Sequence, residues 1–230
     1  MRPSSEFDGE QVHIVLCFTE RADRMELKDR VIATTTDLFI ETGIKGVTMD
    51  IIAETMGISK RTLYEIFSDK NQLVDDCLTY IMKQNEIRLN EIRLKSTNII
   101  EVMMMSYTEG KAKLRKCNKN FMSDLKRFHP QVFQRIKDQR ERTFKEDMIV
   151  ELDKGIMDGY IRPDLNTEIM AILLREQIDL IDDGLPELHK FPMQEIVKTA
   201  FMSFIRGIST EKGLKIIDDF IKNGKDGDHH

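Results

Sequence analysis

The stretch from Met49 to Ile66 constrains the fold more tightly than any other part of this chain. Counted from Met49 as the first place, Ile52 is fourth, Ala53 fifth, Met56 eighth, Gly57 ninth, Ile58 tenth, Leu63 fifteenth and Ile66 eighteenth. Two short helices that cross need a small side chain where the second passes over the first, and Ala53 meets that need. The turn between them needs a residue that enters the left-handed backbone region without strain, and Gly57 is the residue for it. The other apolar places are spaced to pack one helix on the other. Thr48 and Ser59 stand where N-caps belong, each hydroxyl able to accept a backbone N–H left free at a helix start. The pattern predicts helices over 48–56 and 59–66 joined as a helix-turn-helix, in preference to an ordinary αα-hairpin.

Helical signals fill the rest of the chain. Met25 opens a pattern with Leu27, Val31, Ile32, Leu38 and Phe39 on one face, closed by Gly43 as a C-cap. After Ser68, read as a third N-cap, a unit runs without a breaker to about Leu94, with Leu73, Val74, Leu78, Ile81 and Met82 spaced for burial. Further helices are predicted at 98–116, 118–128, 131–158, 166–183, 193–208 and 211–222. With 12 Gly and 5 Pro in 230 residues, long helices are favoured over a turn-rich β fold. The expectation is all-α: an N-terminal three-helix helix-turn-helix domain over 25–72 and a C-terminal helical domain over 73–230. Residues 1–24 read either as a weakly ordered arm or as an extension ahead of a natural start at Met25.

Charge placement points to a role for the second helix of the pair. Lys60 and Arg61 fall in its first turn, where the helix dipole disfavours cations by about 0.3–1 kcal/mol each. Residues that oppose local stability mark function, and the first turn of a recognition helix is where base edges and phosphates are met in a major groove. Lys70, in the first turn after Ser68, sets a cation at a helix N-terminus, an arrangement suited to a phosphate. The net charge of -5 gives no general attraction to nucleic acid. It is polarised, however: residues 83–145 hold 16 Lys+Arg against 7 Asp+Glu, and residues 146–230 hold 10 against 18. Any contact with DNA rests on local groups.

Residues 48–73, T-M-D-I-I-A-E-T-M-G-I-S-K-R-T-L-Y-E-I-F-S-D-K-N-Q-L, resemble the DNA-binding signature of the TetR (tetracycline-repressor) family almost throughout. The remainder of the chain resembles that family only in length and helix count. The resemblance implies phosphate contacts for Thr48, Tyr64 and Lys70, and base or groove contacts around Ser59, Lys60, Arg61 and Thr62. It implies packing roles for Phe39, Ala53, Gly57, Leu63, Phe67 and Leu73. Glu65 and Ile66 depart from the basic or aromatic residues common there, so the end of the recognition helix is expected to contribute less. The function implied is a sequence-specific transcriptional regulator, a homodimer on double-stranded operator DNA, acting as a repressor released by a small-molecule effector.

The second domain offers two candidate surfaces. Stretches 166–183 and 193–208 are apolar almost all round and must be covered on two sides; Ile169, Leu173, Leu180, Val197, Phe201, Phe204 and Ile205 are candidates for a dimer interface, against burial within the monomer. Met103, Met104, Tyr107, Phe121, Leu125, Phe128, Phe144 and Met148 form a soft, aromatic set able to line an effector pocket, and core packing explains them equally well.

Other function classes find no support. His13, His129, His189, His229 and His230 lie in separate segments without metal-ligand or zincin spacing, and no nucleophile elbow or Gly-rich phosphate loop occurs. Cys17, Cys77 and Cys117 are widely spaced and lack a C-x-x-C. Neither an enzyme, a metal site nor a cofactor is expected. The apolar run Val12–Phe18 is too short to span a bilayer and has acidic residues where a signal peptide is basic, so a cytoplasmic location with no membrane partner is expected. Two rival readings stand beside the repressor: a ligand-independent activator or co-regulator of the same fold, and a helical ligand-binding protein with a vestigial DNA head.

Overall fold

The computed structural model describes the backbone of residues 9–183, 188 and 190–224, with side chains from Met25 onward except Arg142 and residues 180–183. The described residues form ten helices and no strand: α1 Gly9–Thr42, α2 Met49–Met56, α3 Lys60–Ile66, α4 Lys70–Lys95, α5 Ile99–Lys116, α6 Phe121–Phe128, α7 Pro130–Met157, α8 Thr167–Asp183, α9 Met193–Ile208 and α10 Glu211–Lys222. The all-α expectation holds.

Two boundaries differ from the sequence reading. Helix α1 starts at Gly9, so regular structure precedes Met25. No Pro or Gly lies between Glu10 and Thr42 to stop it, and the scattered apolar residues of that segment hid a helix that has no single apolar face. The N-cap of α4 is Asp69 rather than Ser68: the Asp69 carboxylate accepts the Gln72 N–H at 2.9 Å. Gln72 Oε1 in turn accepts the Ser68 N–H at 2.7 Å. A carboxylate at this place gains from the helix dipole as well as from the hydrogen bond. Helix α7 opens on Pro130, whose missing N–H costs nothing in the first turn.

The buried apolar residues form two cores. The first joins Val31 and Phe39 of α1, Ile52 and Ala53 of α2, Leu63 of α3 and Leu73, Val74, Cys77 and Leu78 of α4. It also takes in Phe121 and Leu125 of α6 and Ile136 of α7, so it crosses the division expected at 72/73. The second unites Ile100, Met103 and Met104 of α5 with Leu152 of α7, Leu174 of α8, Phe204, Ile205 and Ile208 of α9, and Ile217 and Phe220 of α10. At its far end the loop after α7 is tied to the loop after α9 by backbone bonds, Arg162 N–H to Ile208 O at 2.9 Å and Thr210 N–H to Tyr160 O at 3.0 Å. Gly213 sits at this seam because a Cβ there would stand 2.5 Å from the Tyr160 carbonyl oxygen.

Short polar ties join α6 to the first three helices. Asp124 Oδ2 accepts the Lys45 N–H at 2.8 Å. The Asn118 N–H donates to Ile40 O at 2.7 Å. His129, buried in the turn between α6 and α7, donates through Nδ1 to Asn71 Oδ1 at the start of α4. Burial, and then the nearby Lys70 charge, hold the His129 pKa below its ordinary value of 6.5.

Candidate nucleic-acid interface

The α2–α3 pair is assembled by the residues that the sequence pattern singles out. Ala53 is buried where the helices meet, and Gly57 takes φ +65° in the left-handed region. From that turn the Gly57 N–H reaches Glu54 O at 3.1 Å and the Ile58 N–H reaches Ala53 O at 3.0 Å, closing the end of α2. Both expected caps form. Thr48 Oγ1 accepts the Ile51 N–H at 3.3 Å and Ser59 Oγ accepts the Thr62 N–H at 3.0 Å. Leu63 and Phe67 are fully buried and fix the rotation of α3 about its axis. That rotation turns Ser59, Lys60, Arg61 and Tyr64 outward, with Thr62 half-buried among them.

The outward groups are neither random nor free. Lys60 Nζ lies 2.6 Å from Asp50 Oδ2 of α2. Arg61 Nε donates to Glu65 Oε1 at 3.0 Å along α3. Each cation in the unfavourable first turn of α3 is thus held by an exposed carboxylate, an ion pair worth about 0–1 kcal/mol and weak enough to exchange for a phosphate or base edge. Ser59 Oγ and Thr62 Oγ1 share a hydrogen bond of 2.8 Å. The Thr48 hydroxyl accepts at the cap and still has a proton to donate. Tyr64 is 51% exposed, far more than an aromatic ring needed for packing.

Lys70 is placed differently from its neighbours. Its side chain folds inward, half-buried, and Nζ donates to Ile44 O at 2.6 Å beneath α1. Burial pushes its pKa below the ordinary value, against the pull of Asp124. In this conformation Lys70 fastens the α1–α2 loop instead of projecting a cation. Nothing in the sequence distinguishes the two postures, because the Ile44 carbonyl that captures it comes from another element.

The eight residues expected to line one pocket divide between the two cores. Met103, Met104, Phe144 and Met148 belong to the second core or pack on it. Tyr107 stacks on Phe201, ring centroids 4.3 Å apart. Phe121 and Leu125 instead line a separate cavity of about 230 Å³ between α4, α6, α7 and α8. Phe128 is 41% exposed, with Lys45 and Arg127 over its ring. The set is therefore not one pocket. Soft apolar composition marks burial, and burial alone does not say which cavity a side chain faces.

The expected interface set divides as well. Phe204 and Ile205 are buried in the monomer's own second core. Phe201 and Val197 are half-buried. On α8, Ile169, Ile172 and Leu173 are 54%, 43% and 49% exposed and form one stripe at helical spacing. The Leu180 side chain lies outside the described residues, as do those of Cys17, His13, His189, His229 and His230. Among the described residues no group of three or more His, Cys, Asp or Glu is placed to hold a metal ion, and no helix is long and apolar enough to cross a membrane. Burial raises the Cys77 thiol pKa to about 12, so that sulfur is held as the unreactive thiol.

Known proteins repeat this arrangement. The sequence profile of the bacterial regulatory proteins, tetR family, matches residues 31–77, which span the end of α1 through the first turns of α4. The uncharacterized HTH-type transcriptional regulator YhgD of Bacillus subtilis is 22% identical over 80% of this chain and 98% of its own. The HTH-type transcriptional repressor KstR2 of Mycolicibacterium smegmatis is 23% identical over 65% of this chain and 74% of its own. In fold, the chain is similar to a TetR-family transcriptional regulator from Cytophaga hutchinsonii, with TM-score 0.63 and 18% identity over 82% of this chain and 98% of that one. A TetR-family regulator from Agrobacterium tumefaciens superposes with TM-score 0.62 at 13% identity, covering 81% and 100%. A matched signature on a correctly built reading helix, carried by a body of the same helical architecture, makes this chain a DNA-binding transcriptional regulator of the TetR family.

Proposed function

We propose that the chain is a homodimeric repressor whose two α3 helices enter successive major grooves of a near-palindromic operator, and which leaves the operator when a small molecule enters the helical body. In this reading residues 25–72 are the reading head and residues 73–230 sense and dimerise. The observation that carries it is the first turn of α3. Lys60 and Arg61 sit where the dipole opposes them, exposed and held by carboxylates that can be exchanged. Arg61, Lys60 and Thr62 supply the sequence readout; Thr48, Ser59 and Tyr64 bind backbone phosphates. Lys70 acts on the α1–α2 loop through Ile44 O, so its removal loosens the start of α2 rather than deleting one phosphate contact.

The exposed stripe of Ile169, Ile172 and Leu173 supports pairing through α8, since a copy related by a two-fold axis would cover it. A route for release follows from α6. One side of that helix presents Phe121 and Leu125 to the cavity, and its Asp124 holds the Lys45 N–H in the loop before α2. A ligand that displaces α6 shifts that loop and with it the separation of the two recognition helices, which must match half-sites about 34 Å apart. Selection of bound sequences from random duplex DNA tests the reading. A two-fold symmetric site protected by a dimer is expected, and absence of any preferred sequence would reject it.

A further inference from the structure

Helix α8 is rich in Ile and Leu, yet it buries an arginine. The Arg175 side chain is 8% exposed. Its Nη2 donates to Asp179 Oδ2 at 2.7 Å, and its Nε, buried as well, has no hydrogen-bond acceptor. Leaving a charged donor buried and unmet is among the more expensive features that a fold can retain. Arg175 lines the cavity of about 230 Å³, whose apolar wall comes from Leu78 and Ile81 of α4, Phe121 and Leu125 of α6, and Phe133 and Ile136 of α7. Lys137 and Arg140 line the same space, with Lys137 Nζ 3.4 Å from Asp179 Oδ2. Three cations therefore face one carboxylate at one end of an otherwise apolar cavity.

We propose that this cavity binds a medium-chain amphiphile with an anionic carboxylate head, the head accepting from Arg175 Nε and neutralised by Lys137 and Arg140, the chain lying against α4, α6 and α7. The volume admits about eight groups of the size of a water molecule, which suits a short alkyl chain and excludes a polycyclic or nucleotide-bearing ligand in this conformation. A neutral apolar molecule would leave Arg175 Nε unmet, and a cationic one would meet three like charges. As the identity of the effector, the proposal rests on the release mechanism above; as a binding site it stands alone.

Calorimetric titration of the full-length chain with octanoate, 1-octanol and octyltrimethylammonium tests it. Octanoate should bind about tenfold or more tightly than octanol, the worth of one charge-assisted hydrogen bond, and the ammonium should not bind. Arg175→Gln should bring octanoate down to the level of octanol. Because a core substitution can unfold the protein, Lys137→Gln and Arg140→Gln, both on accessible side chains, are a second arm and should each narrow the octanoate preference. Octanol binding as well as octanoate to the wild type, no binding of either, or a preference unchanged in all the variants would overturn the proposal and leave Arg175–Asp179 as a structural pair. Operator affinity measured in the same samples separates the two readings. Octanoate binding without loss of DNA affinity upholds the site and removes octanoate as the releasing signal; release by another compound, with no octanoate binding, overturns the site and spares the release mechanism.

Discussion

Helices α3 and α8 both present to solvent what a helix ordinarily keeps satisfied, but they do so with opposite chemistry. α3 shows cations held by neighbouring carboxylates, Lys60 by Asp50 and Arg61 by Glu65. α8 shows Ile169, Ile172 and Leu173, which can be satisfied only by another apolar surface. The first surface is set up for exchange, since one weak ion pair is traded for another. The second is set up for burial. The two association events proposed for this protein should therefore respond in opposite ways to salt: DNA binding weakens steeply as counterion release loses its advantage, whereas pairing through α8 holds or strengthens. A dimer that dissociates with rising salt in step with its DNA would erase this distinction.

Within the body, burial separates residues that composition makes look alike. Phe204→Glu places a charge inside the second core and should cost about 3–5 kcal/mol, enough to leave little folded protein, as circular dichroism would report. Leu173→Glu places the same charge on the exposed stripe. It should leave helix content and melting temperature nearly unchanged while converting a dimer to a monomer in light scattering. A folded Phe204→Glu dimer, or an unfolded Leu173→Glu chain, would reverse the assignment of core and interface.

The seam between α7 and α10 gives the next effect in size. Gly213→Ala drives a methyl to 2.5 Å from the Tyr160 carbonyl oxygen, a backbone atom that cannot swing away. A destabilisation of about 1–3 kcal/mol is expected in chemical denaturation, without change in DNA affinity per folded molecule. A loss of DNA affinity larger than the loss of folded protein would show that the seam communicates with the head.

A smaller effect comes from His129, which joins the α6–α7 turn to Asn71 of α4. Its pKa is lower in the folded protein than the ordinary 6.5, so the unfolded chain binds the proton more readily and stability rises with pH. Stability should be complete above pH 6.5 and should fall as the pH drops below that value. His129→Gln should flatten this part of the melting profile. A wild-type profile that is flat between pH 7 and pH 5, or one that rises on acidification, would contradict the burial of a neutral ring.

How far the molecule could be read from its sequence follows from the same contrast. The head was legible because its rules are local: a small residue at Ala53, a left-handed turn at Gly57, caps at Thr48 and Ser59. Each is tested within a few residues of itself. Even there, Lys70 escaped, because the carbonyl that captures its ammonium belongs to Ile44, on the loop after α1. In the body the decisive facts are long-range. Phe204 and Leu173 sit on helices that are both apolar almost all round, and only the placement of α5 and α10 against α9 decides which is covered. Phe121 and Met104 have the same soft, buried character, yet they face different spaces. Arg175 was passed over because a single arginine in an apolar helix reads as solvent-exposed; its burial is set by α4, α6 and α7 together. The excess of positive charge over residues 83–145 was visible, and two of its members, Lys137 and Arg140, line the cavity.

The central claim is that the first turn of α3 reads base sequence. The most direct measurement is the ratio of affinities of Arg61→Ala for a selected operator and for unrelated duplex, compared with the same ratio for the wild type at one salt concentration. The account predicts that the ratio falls by about 1–3 kcal/mol while affinity for unrelated duplex changes little. An unchanged ratio, or an equal loss on both DNAs, would make Arg61 a phosphate contact at most and would contradict the assignment of α3 as the reader.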